Sequence, residues 1–175
     1  SDGKPYVSEY NLSSYAHPMD NEKAWTEAYM SENDINGFST EENPNTYLYS
    51  RDDYYKGMKA LLEHGQEYVP KALSLYGENY KRFSQINKNL DYELSKYRLH
   101  TNTVFYSGIR TVKNFTGTSD SVADMKASIG KSGTYNCITS TSYDESVASR
   151  FTYEKRGGTV LEIYIPKGYN KGAYI

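Results

Sequence analysis

The chain has 175 residues and carries 22 acidic against 20 basic side chains, a net charge of -2. That length suffices for one domain with a real core, and so even a balance argues against a generic nucleic-acid binder, which would show a basic excess. Leu, Ile, Val and Phe make up fewer than one residue in five, a warning of disorder only when net charge is also high; 20 tyrosines fill the deficit, so the core is expected to use rings whose hydroxyls reach water or a partner.

In chain order, residues 20–33 place Ala24, Trp25, Ala28 and Tyr29 on one side of a helix, behind Asp20 as its N-cap. The segment NGFSTEENPNT, residues 36–46, reads as a polar loop. Residues 51–64 set Tyr54, Tyr55, Met58, Leu61 and Leu62 at helical spacing, with Ser50 and Asp53 as a weak capping box and Gly65 as a C-terminal stop. After Pro70 and Gly77, a stripe of Tyr80, Phe83, Ile86, Asn87 and Leu90 predicts a helix, which Leu94, Tyr97 and Arg98 continue towards His100.

From residue 103 the apolar period shifts towards two. Residues 103–109, 134–139 and 158–166 read as strands, the last with Leu161, Ile163 and Ile165 on one face and Val160, Glu162 and Tyr164 on the other. Short helices are expected over 121–129 and 144–153. Helices followed by strands with small helical insertions predict an α+β fold with a mixed or antiparallel β core. No repeat or linker divides the chain, so residues 1–175 read as one domain, with a helical lead-in over 1–100 and the β core over 101–175.

Several chemistries lack their motifs. No run approaches the ~18 apolar residues of a membrane span, and the N-terminal SDGKPYVSEY has neither the basic start nor the apolar stretch of a signal peptide. Cys137 is the single cysteine, which leaves no internal disulfide or thiolate zinc site, and His17, His64 and His100 sit at no ligand spacing. A GKS at 130–132 lacks the earlier glycine of a phosphate loop, since Met125 stands there. The stretch from Asn136 onward is more informative. Ser140-Thr141-Ser142 ends a strand ahead of a helix, and Phe151 follows at that helix's last turn. Hydroxyls at a strand end can donate to or accept from a polar ligand, and a nearby aromatic can stack on a flat ring; equally, Ser and Thr at such a junction are ordinary helix caps.

The ordered set of an aromatic strand ending in Tyr106-Ser107-Gly108, then STS-x8-F over Ser140 to Phe151, then LEIYIPKG and Gly172-Ala173-Tyr174, resembles the ADP-ribosyltransferase toxins of the Arg-Ser-Glu class. It is most similar in pattern to the enzymatic domains of iota-like binary toxins and, more distantly, to the Rho-modifying exoenzymes. The resemblance spans roughly residues 20–175, including Trp25 and the segment YKRFSQINKNLDYEL. It implies NAD as substrate, cleaved between nicotinamide and ribose through an oxocarbenium-like transition state of the kind that carboxylates stabilise. By the same resemblance Ser140 is the catalytic-motif serine, Thr141 and Ser142 complete the motif, and Phe151 packs on nicotinamide. Gly108 with its neighbours lines the NAD site. The implied partner is an acceptor protein such as actin, a Rho-type GTPase or a bacterial target, with a complementing C-terminal segment or a translocation or immunity partner besides. Nucleic acid is not expected as a partner. The implied setting is a secreted or injected effector acting in a target-cell cytosol.

Two departures stand out. The arginine that clamps the NAD pyrophosphate in the family is here Ser107, and Arg110 is the alternative clamp; an odd separation puts the two on opposite faces of a regular strand. Arg110 as a plain surface charge, and Ser107 as a mark of altered or lost activity, stay open beside that reading. The family's Glu-x-Glu or Gln-x-Glu pair, expected after the GAY strand, has no counterpart up to Ile175, and Glu154 and Glu162 lie elsewhere in the pattern. The β core therefore reads as C-terminally incomplete and the 175 residues alone as inactive in transfer. The alternative is an inactive binding module of the same fold.

Overall fold

The computed structural model describes residues 11–51, 83–113, 117–133, 138–152 and 158–175, with the backbone alone at 83–87. They form two compact units. Residues 23–51, 83–100, 138 and 167–175 make a helical unit; residues 11–22, 101–113, 117–133, 139–152 and 158–166 make a unit around a two-stranded sheet. Among the described residues the architecture is a small α+β arrangement of helices and one antiparallel strand pair.

In the helical unit, α1 (Glu22–Glu32) buries Trp25 and Tyr29, whereas Ala24 and Ala28 of the expected apolar side are exposed. Asp20 does not cap it: Asp20 closes a 3-10 turn, Pro18–Asp20. The expected polar loop contains the start of a helix, α2 (Pro44–Tyr49), with Pro44 in its first turn, where a fixed φ and a missing N–H are tolerated. What holds that helix start is distant in sequence. The Glu93 carboxylate accepts from Asn45 N–H at 3.1 Å, Thr46 N–H at 2.9 Å and Thr46 Oγ1 at 3.0 Å. Ser50 ends α2 as its C-cap.

The helix α3 (Phe83–Ser95) buries Leu90 and Leu94. It ends at Ser95 and not near His100; Tyr97 and Leu99 are buried beyond its end, and Arg98 N–H donates to Asn33 Oδ1 at 2.8 Å. Leu99 then pairs with the C-terminal segment, its N–H donating to Tyr169 O at 2.9 Å and its carbonyl accepting from Gly168 N–H at 2.8 Å. Tyrosine supplies much of this core, as composition implies. Trp25 and Tyr29 stack at 5.5 Å, and Tyr174 packs edge-on to both. The hydroxyls find partners: Tyr29 Oη accepts from Tyr174 N–H, Tyr97 Oη from Asn43 Nδ2, and Tyr49 Oη donates to Ile138 O. The helix expected over 51–64 and the Tyr80 part of the next stripe lie outside the described residues.

In the second unit, β1 (Thr103–Ile109) and β2 (Thr159–Ile165) pair antiparallel, with Thr103 opposite Ile165 and Ile109 opposite Thr159. These are two of the three strands that alternation predicts. The other edge of β1 is covered too. Tyr106 and Ser142 exchange N–H···O bonds of 2.7 and 2.8 Å, and Val104 N–H donates to Ala16 O at 3.0 Å. In an antiparallel strand a residue's N–H and C=O share an edge, so Ser142 and Ala16 flank β1 on the side away from β2. Of the strand expected over 134–139, residues 134–137 lie outside the described residues, while 138 and 139 have no regular structure.

Two further short helices lie among the described residues of this unit. α4 (Val122–Ala127) is capped by Ser121, whose hydroxyl accepts from Asp124 N–H at 3.1 Å. Val122 and, beyond the helix's end, Ile129 are exposed. α5 (Glu145–Ser149) is capped by Asp144.

Candidate functional site

The stretch of sequence from Ser140 to Phe151 meets β1 at three consecutive residues, Tyr106, Ser107 and Gly108. Ser107 is buried in the strand and its Oγ donates to the carbonyl of Ser140 at 3.0 Å. Ser142 pairs with Tyr106 through the backbone, while its own hydroxyl accepts from Asp144 N–H at 3.0 Å. Gly108 packs against the end of α5: a Cβ there would collide with the Ala148 carbonyl and lie 3.2 Å from Phe151 Cβ. Glycine at this position is thus a packing requirement, a close approach of strand to helix end that any side chain would block.

Ser140, Thr141, Ser142 and Phe151 divide between structural and exposed roles. Ser140 and Thr141 are exposed. The helix cap that the Ser-Thr-Ser stretch resembles is supplied by Asp144, whose Oδ1 accepts from Ser146 Oγ at 2.7 Å and Ser146 N–H at 2.9 Å; these bonds hold its carboxyl below the usual value. Phe151, just past α5, is 62% exposed, an aromatic ring left available on the surface. Arg110 is the first residue after β1, at a bend, and its side chain is exposed.

The faces of β1 sort these groups. Ser107 lies on one face, and Gly108, under Phe151 Cβ, on the other, because adjacent strand residues point oppositely. The hydroxyl of Ser107 and the stem of Phe151 are therefore gathered at the same strand position but from opposite sides. The clamp question takes a definite form in this geometry. Ser107 is committed to Ser140, and Arg110 stands beyond the strand instead of in its alternation.

One group escaped the sequence reading. Tyr106 stands opposite Glu162 and Val104 opposite Tyr164, so Tyr106, Glu162 and Tyr164 share the Gly108 face. Tyr164 Oη donates to Glu162 Oε1 at 2.6 Å, which together with burial pushes the Tyr164 phenol up to about 12. Burial raises the Tyr106 phenol, and the carboxylates of Glu162, Glu145 and Asp20 raise it further. Tyr106 Oη also lies 3.4 Å from His17 Nδ1, and Tyr15 packs edge-on against Tyr164 at 5.4 Å. Alternation alone puts Glu162 and Tyr164 on one face; only the pairing register brings Tyr106 beside them.

Among the described residues, no three His, Cys, Asp or Glu side chains are grouped to hold a metal ion, and no helix is long and apolar enough to cross a membrane. No protein-family model matches the chain, and neither the curated proteins nor the solved structures contain a match to it.

Proposed function

We propose that the chain is an NAD-binding domain of the ADP-ribosyltransferase type, whose activity is transfer of ADP-ribose to an acceptor protein. The observation that carries this reading is the meeting of two stretches of the sequence resemblance, the Tyr106-Ser107-Gly108 strand and the stretch from Ser140 to Phe151: Ser107 bonded to Ser140, Ser142 paired with Tyr106, and Gly108 packed under Ala148 and Phe151. The 140–151 stretch is more than 30 residues from β1 in sequence, and nothing in local spacing requires the two to meet.

In this reading Phe151 offers its exposed ring to the flat nicotinamide, a contact that aromatic stacking favours. Ser140 and Thr141 present hydroxyls to the ribose beside it, with Ser142 holding their segment against β1 and Gly108 admitting α5. Arg110 is the guanidinium assigned to the pyrophosphate, since a planar cation suits that group. The oxocarbenium-like transition state additionally requires a carboxylate, for which no residue is assigned. The acceptor is a protein of a target cell, reached by a secreted or injected effector.

One observation favours a second reading, a partner-binding module of the same fold without transfer. Ser107 spends its hydroxyl on the Ser140 carbonyl, and no guanidinium stands within β1 itself. Titration of the whole chain with NAD, followed by calorimetry, separates the two. Saturable binding that Phe151→Ala and Arg110→Ala each weaken about tenfold supports the NAD reading; absence of binding by the unaltered chain overturns it.

A further inference from the structure

The Gly108 face of the β1–β2 pair carries a carboxylate set between two tyrosines. Directly opposite residues of an antiparallel pair lie about 4.5–5.5 Å apart between Cβ atoms, and diagonal ones about 7–8 Å. Glu162 is thus within reach of Tyr106 across the pair, and it is bonded to Tyr164 two residues along its own strand. Glu162 is exposed, and its Oε2 makes no hydrogen bond among the described residues. Neither Glu162 nor the neighbouring Glu145 and Asp20 forms an ion pair with a Lys or Arg among those residues. The field of all three carboxylates is felt at the Tyr106 phenol. The face combines aromatic surface, an available carboxylate oxygen and negative charge that no Lys or Arg among the described residues pairs with.

That combination selects for a flat organic cation. A phosphate or carboxylate ligand would meet repulsion from Glu162, and an ammonium would keep a tighter hydration shell. A guanidinium is planar and weakly hydrated, stacks on tyrosine, and donates to a carboxylate from a fixed fork. We propose that this face binds an exposed arginine side chain of a partner protein, the guanidinium stacking on the tyrosine rings and donating to Glu162. The proposal extends beyond the NAD reading and stands without it, since none of the three residues is assigned to the nucleotide.

The test uses the whole chain, labelled for nuclear magnetic resonance, titrated with acetyl-Gly-Arg-Gly-amide and with the same peptide carrying citrulline. Citrulline keeps the shape and removes the charge. The arginine peptide is expected to give saturable shifts at Tyr106, Glu162 and Tyr164, and the citrulline peptide to bind at least tenfold more weakly. A hydrogen bond to a charged group contributes about 1.5–3 kcal/mol, so Glu162→Gln is expected to weaken the arginine peptide about tenfold or more. Equal binding of both peptides, absence of saturable shifts at these residues, or an unchanged titration in Glu162→Gln each overturns the proposal. The comparison of peptides on the unaltered chain stands whatever a variant does to folding.

Discussion

Glu93 shows how much a single buried carboxylate can organise. It is 4% exposed, and its oxygens take the N–H groups that the first turn of α2 would otherwise leave unsatisfied. Burial alone would raise its carboxyl; the hydrogen bonds from Thr46 and Asn45 outweigh burial and hold it below the ordinary value. A carboxyl lowered by folding stabilises the protein above its unfolded value, and that contribution is lost as pH falls through the lowered folded value. Stability of the helical unit is therefore expected to drop on acidification, and Glu93→Gln to flatten that dependence while lowering stability at neutral pH. Leaving buried donors poorly satisfied costs about 1–3 kcal/mol. Urea denaturation followed by the fluorescence of Trp25, the chain's single tryptophan, at several pH values reads both effects; an unchanged pH profile in the variant would refute the assignment. Gly108 is the corresponding residue in the sheet unit. Gly108→Ala drives a methyl group into the Ala148 carbonyl, and overpacking of this kind costs about 1–3 kcal/mol. A Gly108→Ala protein with unaltered midpoint by tyrosine-region circular dichroism would show that α5 yields freely.

At the scale of elements, legibility in the sequence follows the range of the interactions. β1 and β2 announce themselves because strand alternation is local, and α1 because Trp25 and Tyr29 repeat at helical spacing. α2 is hidden because its cap, Glu93, is nearly fifty residues away, and Asn43-Pro44-Asn45 reads as a turn until that carboxylate arrives. The end of α3 is misplaced for a related reason. Leu94 and Tyr97 keep a helical period, but Tyr97 is buried by tertiary packing after the helix has stopped at Ser95. At the site, the sequence names Ser107, Gly108, Ser140 and Phe151 but not the close approach of α5 to Gly108, nor the Tyr106–Glu162 pair that register creates. α5 offers an element-level test. Its five residues depend on Asp144, so Asp144→Ala is expected to speed amide exchange at Ser146, whose N–H the Asp144 carboxylate accepts, and Asp144→Asn to restore protection. Equal exchange in both variants would sink the capping role.

At the scale of the whole molecule, the path of the chain constrains how it can be divided. Residues 11–22 belong with the strands: Ala16 pairs along β1, and Tyr15 packs on Tyr164 of β2. Residues 167–175 belong with the helices, where Gly168 and Tyr169 pair with Leu99 and Tyr174 packs on Trp25 and Tyr29. A cut at residue 100 therefore removes from each side a segment that the other side's core uses. In the fragment 101–175 Val104 N–H loses its Ala16 partner and only Ser142 remains on that edge of β1, and an isolated two-stranded pair is marginal in water. The fragment 1–100 loses the backbone partners of Leu99 and the ring that closes over Trp25. Neither fragment is expected to show a cooperative thermal transition alone, while the two mixed together are expected to regain one, because each then recovers its missing segment. Circular dichroism of the fragments, separate and combined, measures this directly. Cooperative unfolding of either fragment alone would mean that the termini decorate units which are complete without them.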